Sequence, residues 1–351
     1  MSKDGKWLVI GRALPRSRRR GLVTLSFLLP LFLWAAISYI PDLWHPEVRI
    51  TGSGDSVYFS QGDNVGVETF ALENRKLKEA GDTAMTGYRT NPVYFPAPHE
   101  VGRALYSAFA TPPRRDSDPW FHQSVLNSIR VVFWGFFLSS LIGVPLGILC
   151  GTYAFFSKLT EPFVEFFRYF PAPVFGALAV AVLGINTASK IAIIFIGTFF
   201  QQVLVIANTT RTVDYSLVEA AQTLGAKPKT LLFRVIIPAV MPKLYLDMRI
   251  LLGWAWTYLI VAEVVGTSTG ISWFINQQAK YRAFDNVYAA ILVLGFIGLG
   301  TDMALAAIGK GLFAWQEGRR GPFKRAPHKT SAPPAPAPAP APVAAGEGGA
   351  Q

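Results

Sequence analysis

Few residues of this chain can do chemistry, and most of them sit where a charge is costly. Arg249, Asp302 and Glu263 fall within long apolar stretches, with Asp247 close by. An ionisable group in a membrane-spanning helix costs about 2.5–3.5 kcal/mol on insertion scales, so each needs a partner or a task. Arg249 lies near the start of the run Leu244–Gly266, and Asp302 toward the end of the run Val287–Gly309. If those runs are antiparallel helices, both charges sit about 8–11 Å in from the same end at 1.5 Å per residue. We expect them to pair, either as a structural contact or as one broken during a conformational change. Glu263 approaches the other end of its run. With Thr257 and Tyr258 it is a candidate for lining a path through the bilayer; the alternative is a cap or ion pair at the interface, and a carboxylate is a poor direct ligand for an anion. No catalytic or metal site is expected. The four histidines (His45, His99, His122, His328) lack metal-ligand spacing, and no Ser/His/Asp arrangement is suggested. The single cysteine, Cys150, reads as a small core residue in an apolar run. No G-x-x-x-x-G-K-[ST] phosphate loop is present.

The elements that must position these groups are membrane helices. Apolar residues make up 51% of the 351 and charged residues only 16%, against roughly 25% charged in a soluble domain. One cysteine excludes a disulfide scaffold and a cysteine-based zinc protein. A bilayer core of about 30 Å needs about 20 mostly apolar residues in helix. Gly21–Ile40, Val131–Phe156, Tyr169–Ser189 and Ile191–Thr210 carry no charge, and the two later runs carry the groups above. These stretches are too long for strands and lack a barrel's alternation. The expected fold is an all-α membrane protein with six transmembrane helices. Gly143, Gly147 and Gly151 form two overlapping G-x-x-x-G units that permit close helix contact. Pro171 and Pro173 should kink the third span or delay its start.

The net charge of +11 is mostly a topology signal. Lys and Arg concentrate in residues 1–20, in the loop 211–243 and after the last span, which places both termini and that loop in the cytoplasm. No basic patch with aromatic stacking partners points to nucleic acid. The expected organisation is a basic cytoplasmic N-terminus (1–20), a first spanning helix (21–40) retained as an anchor, a periplasmic loop region (41–121), a five-helix core (122–315) with the cytoplasmic loop 211–243, and a disordered Pro/Ala-rich tail (316–351). Within the outer loop, Val67–Ala80 reads as a short polar helix ended by Gly81, and His99–Phe109 as an amphipathic one.

The stretch from Asp214 to Pro242 is neither apolar enough to span nor polar enough to be linker. Ser216 and Glu219 have capping-box spacing. Leu217, Ala220, Ala221 and Leu224 then fall on one helical stripe, and Gly225 stands where a left-handed residue is wanted. Pro228 opens a second helix, and Pro238 ends or kinks it. Two short helices at an angle result. Their small-residue face either enters another protein's groove or packs on its own chain, and physics alone leaves both open.

Glu219-Ala220-Ala221, then Gly225, Val235 and Ile237-Pro238, resembles the EAA signature of binding-protein-dependent ABC importer permeases. Gly184–Ile191, Met248–Trp256 and Val261-Ala262-Glu263 are similar to the nitrate/sulfonate/taurine/bicarbonate subgroup, and Phe95-Pro96-Ala97-Pro98 to its Pro-rich lead-in. The resemblance spans roughly residues 94–315 and leaves out the longer outer loop and the Ala-Pro tail. It implies a type I ABC importer permease architecture in the bacterial inner membrane, built from two copies of the chain. It implies a separate ATP-binding cassette subunit that docks on Ser216, Glu219, Ala220, Ala221, Leu224, Gly225 and Pro238, and a periplasmic solute-binding protein. ATP-Mg would then act only on the partner, so this chain is expected to be no enzyme and to hold no cofactor. The rival reading is a secondary transporter or channel working without ATP, which would usually show inverted repeats.

Overall fold

A computed structural model describes residues 15–113, 115–265 and 269–317. Most of the N-terminal basic segment and nearly all of the Ala-Pro tail therefore lie outside the described residues.

Helix α1 (Arg16–Tyr39) is exposed at every residue from Gly21 to Leu33 although nearly all of them are apolar, the mark of a lipid-facing helix. Its C-terminal end is tied to the segment that follows. The indole of Trp34 donates to the Pro96 carbonyl (3.1 Å) and stacks near Tyr288, and Tyr39 shares a hydrogen bond with His99 (2.7 Å). The short helix α2 (Pro41–Trp44) then leads into a small domain that the sequence reading did not anticipate. Strands β1 (Glu47–Gly52), β2 (Asn64–Gly66) and β3 (Thr86–Thr90) form an antiparallel sheet in the order β2-β1-β3, with Val48 opposite both Val65 and Arg89. The register shifts between Ile50 and Gly52. Helix α3 (Val67–Ala80), closed by Gly81 at φ +81°, covers one sheet face through Leu77 packed with Ile50, Val65 and Met85. Asn74 holds Met85 by both backbone groups (2.7 and 3.1 Å).

Helix α4 (Pro98–Ala110) packs Val101 and Ala104 against Ala289 of the last long helix. Then come α5 (Phe121–Thr152), α6 (Ala154–Phe167), α7 (Val174–Leu183) and α8 (Thr187–Thr210). A Cβ on Gly135, Gly147 or Gly151 would meet Ile194, Ile206 and Thr210 respectively. Residue numbers rise together along both helices, so α5 and α8 run parallel. The chain must therefore return between them, and it does so in two pieces, α6 and α7, with Pro171 and Pro173 in the turn. Helix α11 (Ile237–Val265) is antiparallel to α8, with Tyr258 against Gly197 and Asp247 accepting from Thr209. Helix α12 (Ile271–Lys280), α13 (Phe284–Leu312) and α14 (Ala314–Glu317) complete the described chain.

The count of six spans is not confirmed. Four helices among the described residues are long and apolar enough to cross a bilayer: Ser17–Tyr39, Phe121–Thr152, Thr187–Thr210 and Phe284–Leu312. The expected third span is replaced by the α6–α7 pair, because ten residues of α7 reach only about 15 Å. The fifth has the length, but its apolar stretch is interrupted by Lys243, Asp247, Arg249 and Glu263.

The two ends of the bundle differ. One gathers the sheet domain, the starts of α5, α8 and α13, and the end of α11. The opposite end gathers the start of α1, the ends of α5, α8 and α13, and the segment between α8 and α11.

Candidate functional site

The segment between α8 and α11 opens with a cap. Asp214 accepts from the backbone N–H (3.0 Å) and the hydroxyl (2.8 Å) of Ser216. These bonds hold the Asp214 carboxyl below its ordinary range. This corrects the expected capping box: Asp214, not Ser216, is the N-cap of α9 (Tyr215–Thr223). The carboxylate lies two residues earlier and takes the Ser216 N–H itself, so the helix has begun before Ser216 could cap it. Helix α9 buries no residue. Tyr215, Leu217 and Leu224 are exposed, Leu224 at 89%, and so are Glu219 and Ala220, whereas Ala221 is half-buried.

Leu224 closes the helix and Gly225 turns left-handed at φ +78°, with the Ala226 N–H returning to the Ala221 carbonyl (3.0 Å). No atom lies within 4 Å of a Cβ built on Gly225, so the backbone angle, not space, calls for glycine there. Pro228 starts α10 (Pro228–Leu231). Of the two expectations for Pro238, an end to the second helix is not what is found: helix continues past it. A π-helical turn, Leu232–Ile236, joins α10 to α11, and the Ile237 N–H bonds five residues back to Leu232. The wider turn absorbs the donor that proline lacks, so helix continues from Pro228 to Val265. Leu232, Ile236 and Val240 bury that helix's near end, with Leu232 and Val240 packed on Ile148 and Ile206.

Further along α11, Arg249 donates to both carboxylate oxygens of Asp302, from Nε to Oδ1 (3.0 Å) and from the terminal nitrogen to Oδ2 (2.8 Å). The path candidates do not converge. Thr257 is exposed, its hydroxyl 3.4 Å from the Gly253 carbonyl. Tyr258 lies over Gly197 in the core. Glu263 is 1% exposed, contrary to a path-lining role in this conformation. It accepts from the Ser128 hydroxyl and from the Ser272 N–H (2.7 Å), and Ser128 in turn accepts from the Ile271 N–H (2.9 Å). Gly270, at φ +117°, lies so close that any Cβ would strike the Glu263 carboxylate. Lys190, wholly buried, donates to the Thr269 carbonyl (2.6 Å) and hydroxyl (3.2 Å). The group fastens α5, α8 and α11 to the start of α12.

Sequence reasoning missed Ser128, Lys190 and Gln202. Gln202 is wholly buried between Ser139 (2.6 Å), Ser140 (2.9 Å) and Met248. The signal that could have found Lys190 is a lone cation between the uncharged runs Tyr169–Ser189 and Ile191–Thr210. A Cβ added at Gly143 would lie 3.2 Å from Gln202, and one added at Gly147 or Gly151 would lie closer to α8, at 2.7 and 2.5 Å.

Residues 143–313 match the family described as the binding-protein-dependent transport system inner membrane component. A probable ABC transporter permease of Brucella abortus is 35% identical over 193 residues, covering 55% of this chain and 77% of the relative. The chain belongs to the ABC transporter permease family. Two further relatives have named solutes. The taurine transport system permease of Escherichia coli is 27% identical over 66% of this chain and 84% of its own. The putative aliphatic sulfonates transport permease of Bacillus subtilis is 32% identical over 52% of this chain and 68% of its own. In the permease, the matched segment contains α8, α9 and α11, and the sheet domain lies outside it.

Proposed function

We propose that this permease carries a small oxyanion, a sulfonate such as taurine or a similar anion such as bicarbonate or nitrate, and is driven by a separate ATPase subunit docked on α9. The coupling rests on one observation: α9 buries nothing, presents Leu217 and Leu224 outward on one stripe, and lies at the end of the bundle away from the sheet. Such an apolar face on a helix tied to the bundle is the shape a groove in a partner accepts. The Gly225 turn sets the angle of α9, and the continuous helix from Pro228 to Val265 carries its displacement into the bundle. In this reading α9 is cytoplasmic with both termini, two copies enclose one path, and a solute-binding protein delivers at the sheet end. Solute class follows from the names of the relatives and not from a site in the bundle.

The test is co-purification with the companion ATPase subunit. The unaltered chain brings that subunit down and supports solute uptake, whereas Glu219→Lys and Gly225→Trp lose both. Retention of the subunit and of full uptake by both variants would falsify the docking assignment.

A further inference from the structure

The sheet domain and the bundle enclose a cleft of about 1360 Å³. Its walls are the sheet, α4, the end of α1 and the turn between α12 and α13. Four guanidiniums line it: Arg49 on β1, Arg89 on β3, Arg103 on α4 and Arg282 in the α12–α13 turn. Among the described residues none of the four has a hydrogen-bond or ion-pair partner; the arginine ion pairs found are Arg211–Glu161 and Arg249–Asp302, both elsewhere. Three carboxylates share the cleft, but two serve the backbone. Asp63 takes the Ser60 N–H (2.9 Å), and Glu100 takes the Ala97 N–H (2.8 Å).

Arg282 adds an independent observation. It is the one non-glycine residue at positive φ (+58°) among those described. It closes α12 in the left-handed position: its N–H returns to Ala279 (3.0 Å), and that of Ala283 to Gln278 (3.0 Å). Glycine is the usual occupant of that position, since an L side chain there is strained. Nothing in the turn's own bonding calls for arginine. Backbone strain retained at the rim of a cleft, on a side chain that lines it, points to a task for that side chain.

Four guanidiniums without partners face one cleft and outnumber its carboxylates Asp63, Glu100 and Asp285, which favours an anion there, and their planar forks fit an oxyanion through two donors. We infer that this cleft binds a small solute through its oxyanion group, a sulfonate, carboxylate or phosphate, at the end of the bundle opposite α9. The choice of sulfonate among the probes rests on the solute class proposed above; the arrangement of charges does not. Arg49, Arg89 and Arg103 lie outside the segment that matches the family, and Arg282 lies within it, so the cleft joins the added domain to the family core.

The experiment uses the full-length chain with its ATPase subunit in lipid nanodiscs, without a solute-binding protein. Calorimetry measures methanesulfonate, acetate and inorganic phosphate separately, at low and at physiological salt. At least one probe binds, more weakly at the higher salt. The Arg49→Gln/Arg282→Gln double variant loses affinity tenfold or more, while Lys229→Gln, at the other end of the bundle, leaves it unchanged. Arg282→Gly separates binding from folding: it relieves the left-handed strain, so it melts at or above the unaltered temperature yet still binds more weakly. The inference is overturned if no probe binds the unaltered protein, or if the double variant or Arg282→Gly binds as well as the original. ATPase co-purification in every arm keeps such a failure apart from a failure of the transport reading.

Discussion

The close parallel packing of α5 on α8 can be tested glycine by glycine. Each of Gly151, Gly147, Gly143 and Gly298 is replaced by alanine. In a helix interior alanine is favoured over glycine by about 1 kcal/mol. What the added methyl meets opposes that gain. At Gly298 nothing lies within 4 Å, so the variant should be about 0.5–1 kcal/mol more stable. At Gly143 the nearest atom is Gln202 Oε1 at 3.2 Å, the far end of a side chain that can yield slightly, and the two effects nearly cancel. At Gly147 the methyl meets the Ile206 Cβ at 2.7 Å and the Val203 carbonyl at 2.8 Å; at Gly151 it meets the Thr210 Cβ at 2.5 Å and the Ala207 carbonyl at 2.6 Å. Those atoms give way only if the helices part, and overpacking of this kind costs about 1–3 kcal/mol. The net is a loss of up to about 2 kcal/mol, largest at Gly151. Thermal aggregation of the purified protein in nanodiscs gives the ranking Gly298→Ala above Gly143→Ala, above Gly147→Ala, above Gly151→Ala. If Gly151→Ala melts with Gly298→Ala, α5 and α8 do not touch as described.

Three further outcomes are expected. Arg249→Asp and Asp302→Arg each leave an unpaired charge, costing about 2.5–3.5 kcal/mol where it faces hydrocarbon; the double swap should recover expression and uptake, and a double no better than either single would show that the pair contributes nothing. Ser128→Ala removes a donor to Glu263 and the acceptor for Ile271, so thermal stability should drop by about 1–3 kcal/mol, whereas unchanged melting would mean the fastening carries no load. The lowered Asp214 carboxyl stabilises the start of α9 at all pH above the ordinary carboxylate value of 3.8 and loses that effect as pH falls through its still lower folded value; the protection factors of the first turn of α9, each referred to the intrinsic exchange rate at its pH, should stay flat from pH 7 to about pH 4 and fall below, and a fall near pH 6 would contradict the assignment.

How far the fold was legible depended on whether the deciding signal was local. Uncharged runs located α1, α5 and α8, since lipid imposes a length that a sequence shows directly. The αL position of Gly225 and the Pro228 start could be read the same way. The α6–α7 break could not. Tyr169–Ser189 has a span's composition, and only the parallel run of α5 and α8 shows that the return is made in two shorter pieces. The capping residue of α9 was missed because Ser216 and Asp214 are both good caps two residues apart, and the choice depends on backbone angles. The polar groups at Ser128, Lys190 and Gln202 were hard to read because each is satisfied by a distant part of the chain, 79 residues away in the case of Lys190. The sheet was hidden by strands of three to six residues, too short for periodicity to show.

Force applied at α9 needs a stiff route and a place to act, and the contacts supply both. α9 buries none of its residues and rests on α10 and the π turn that follow it, so a partner can grip it without unpacking the bundle. From Pro228 onward the backbone is continuously helical to Val265. The π turn near Pro238 is the one irregularity, and it lies where Leu232 and Ile236 are buried, so bending there is resisted by packing. The far end of α11 is clamped by Glu263 to Ser128 and Ser272, that is, to α5 and α12. A tilt of α11 must then either carry α5, α8 and α12 with it or tear the Glu263 contacts. Tearing them would strand a buried carboxylate, so co-ordinated tilting is favoured. The ion pair along the route among the described residues, Arg249–Asp302, joins α11 to α13, and Asp302 is half exposed. It can therefore slip at less cost than the Glu263 clamp. Relative motion within one subunit should accordingly appear first between α11 and α13, with α5, α8 and α11 moving together. Spin labels on exposed Phe233 and Ile308, compared with a pair on Phe233 and Leu141, would measure it. The first distance should change with ATP and the second should not; the reverse would place the rigid unit elsewhere.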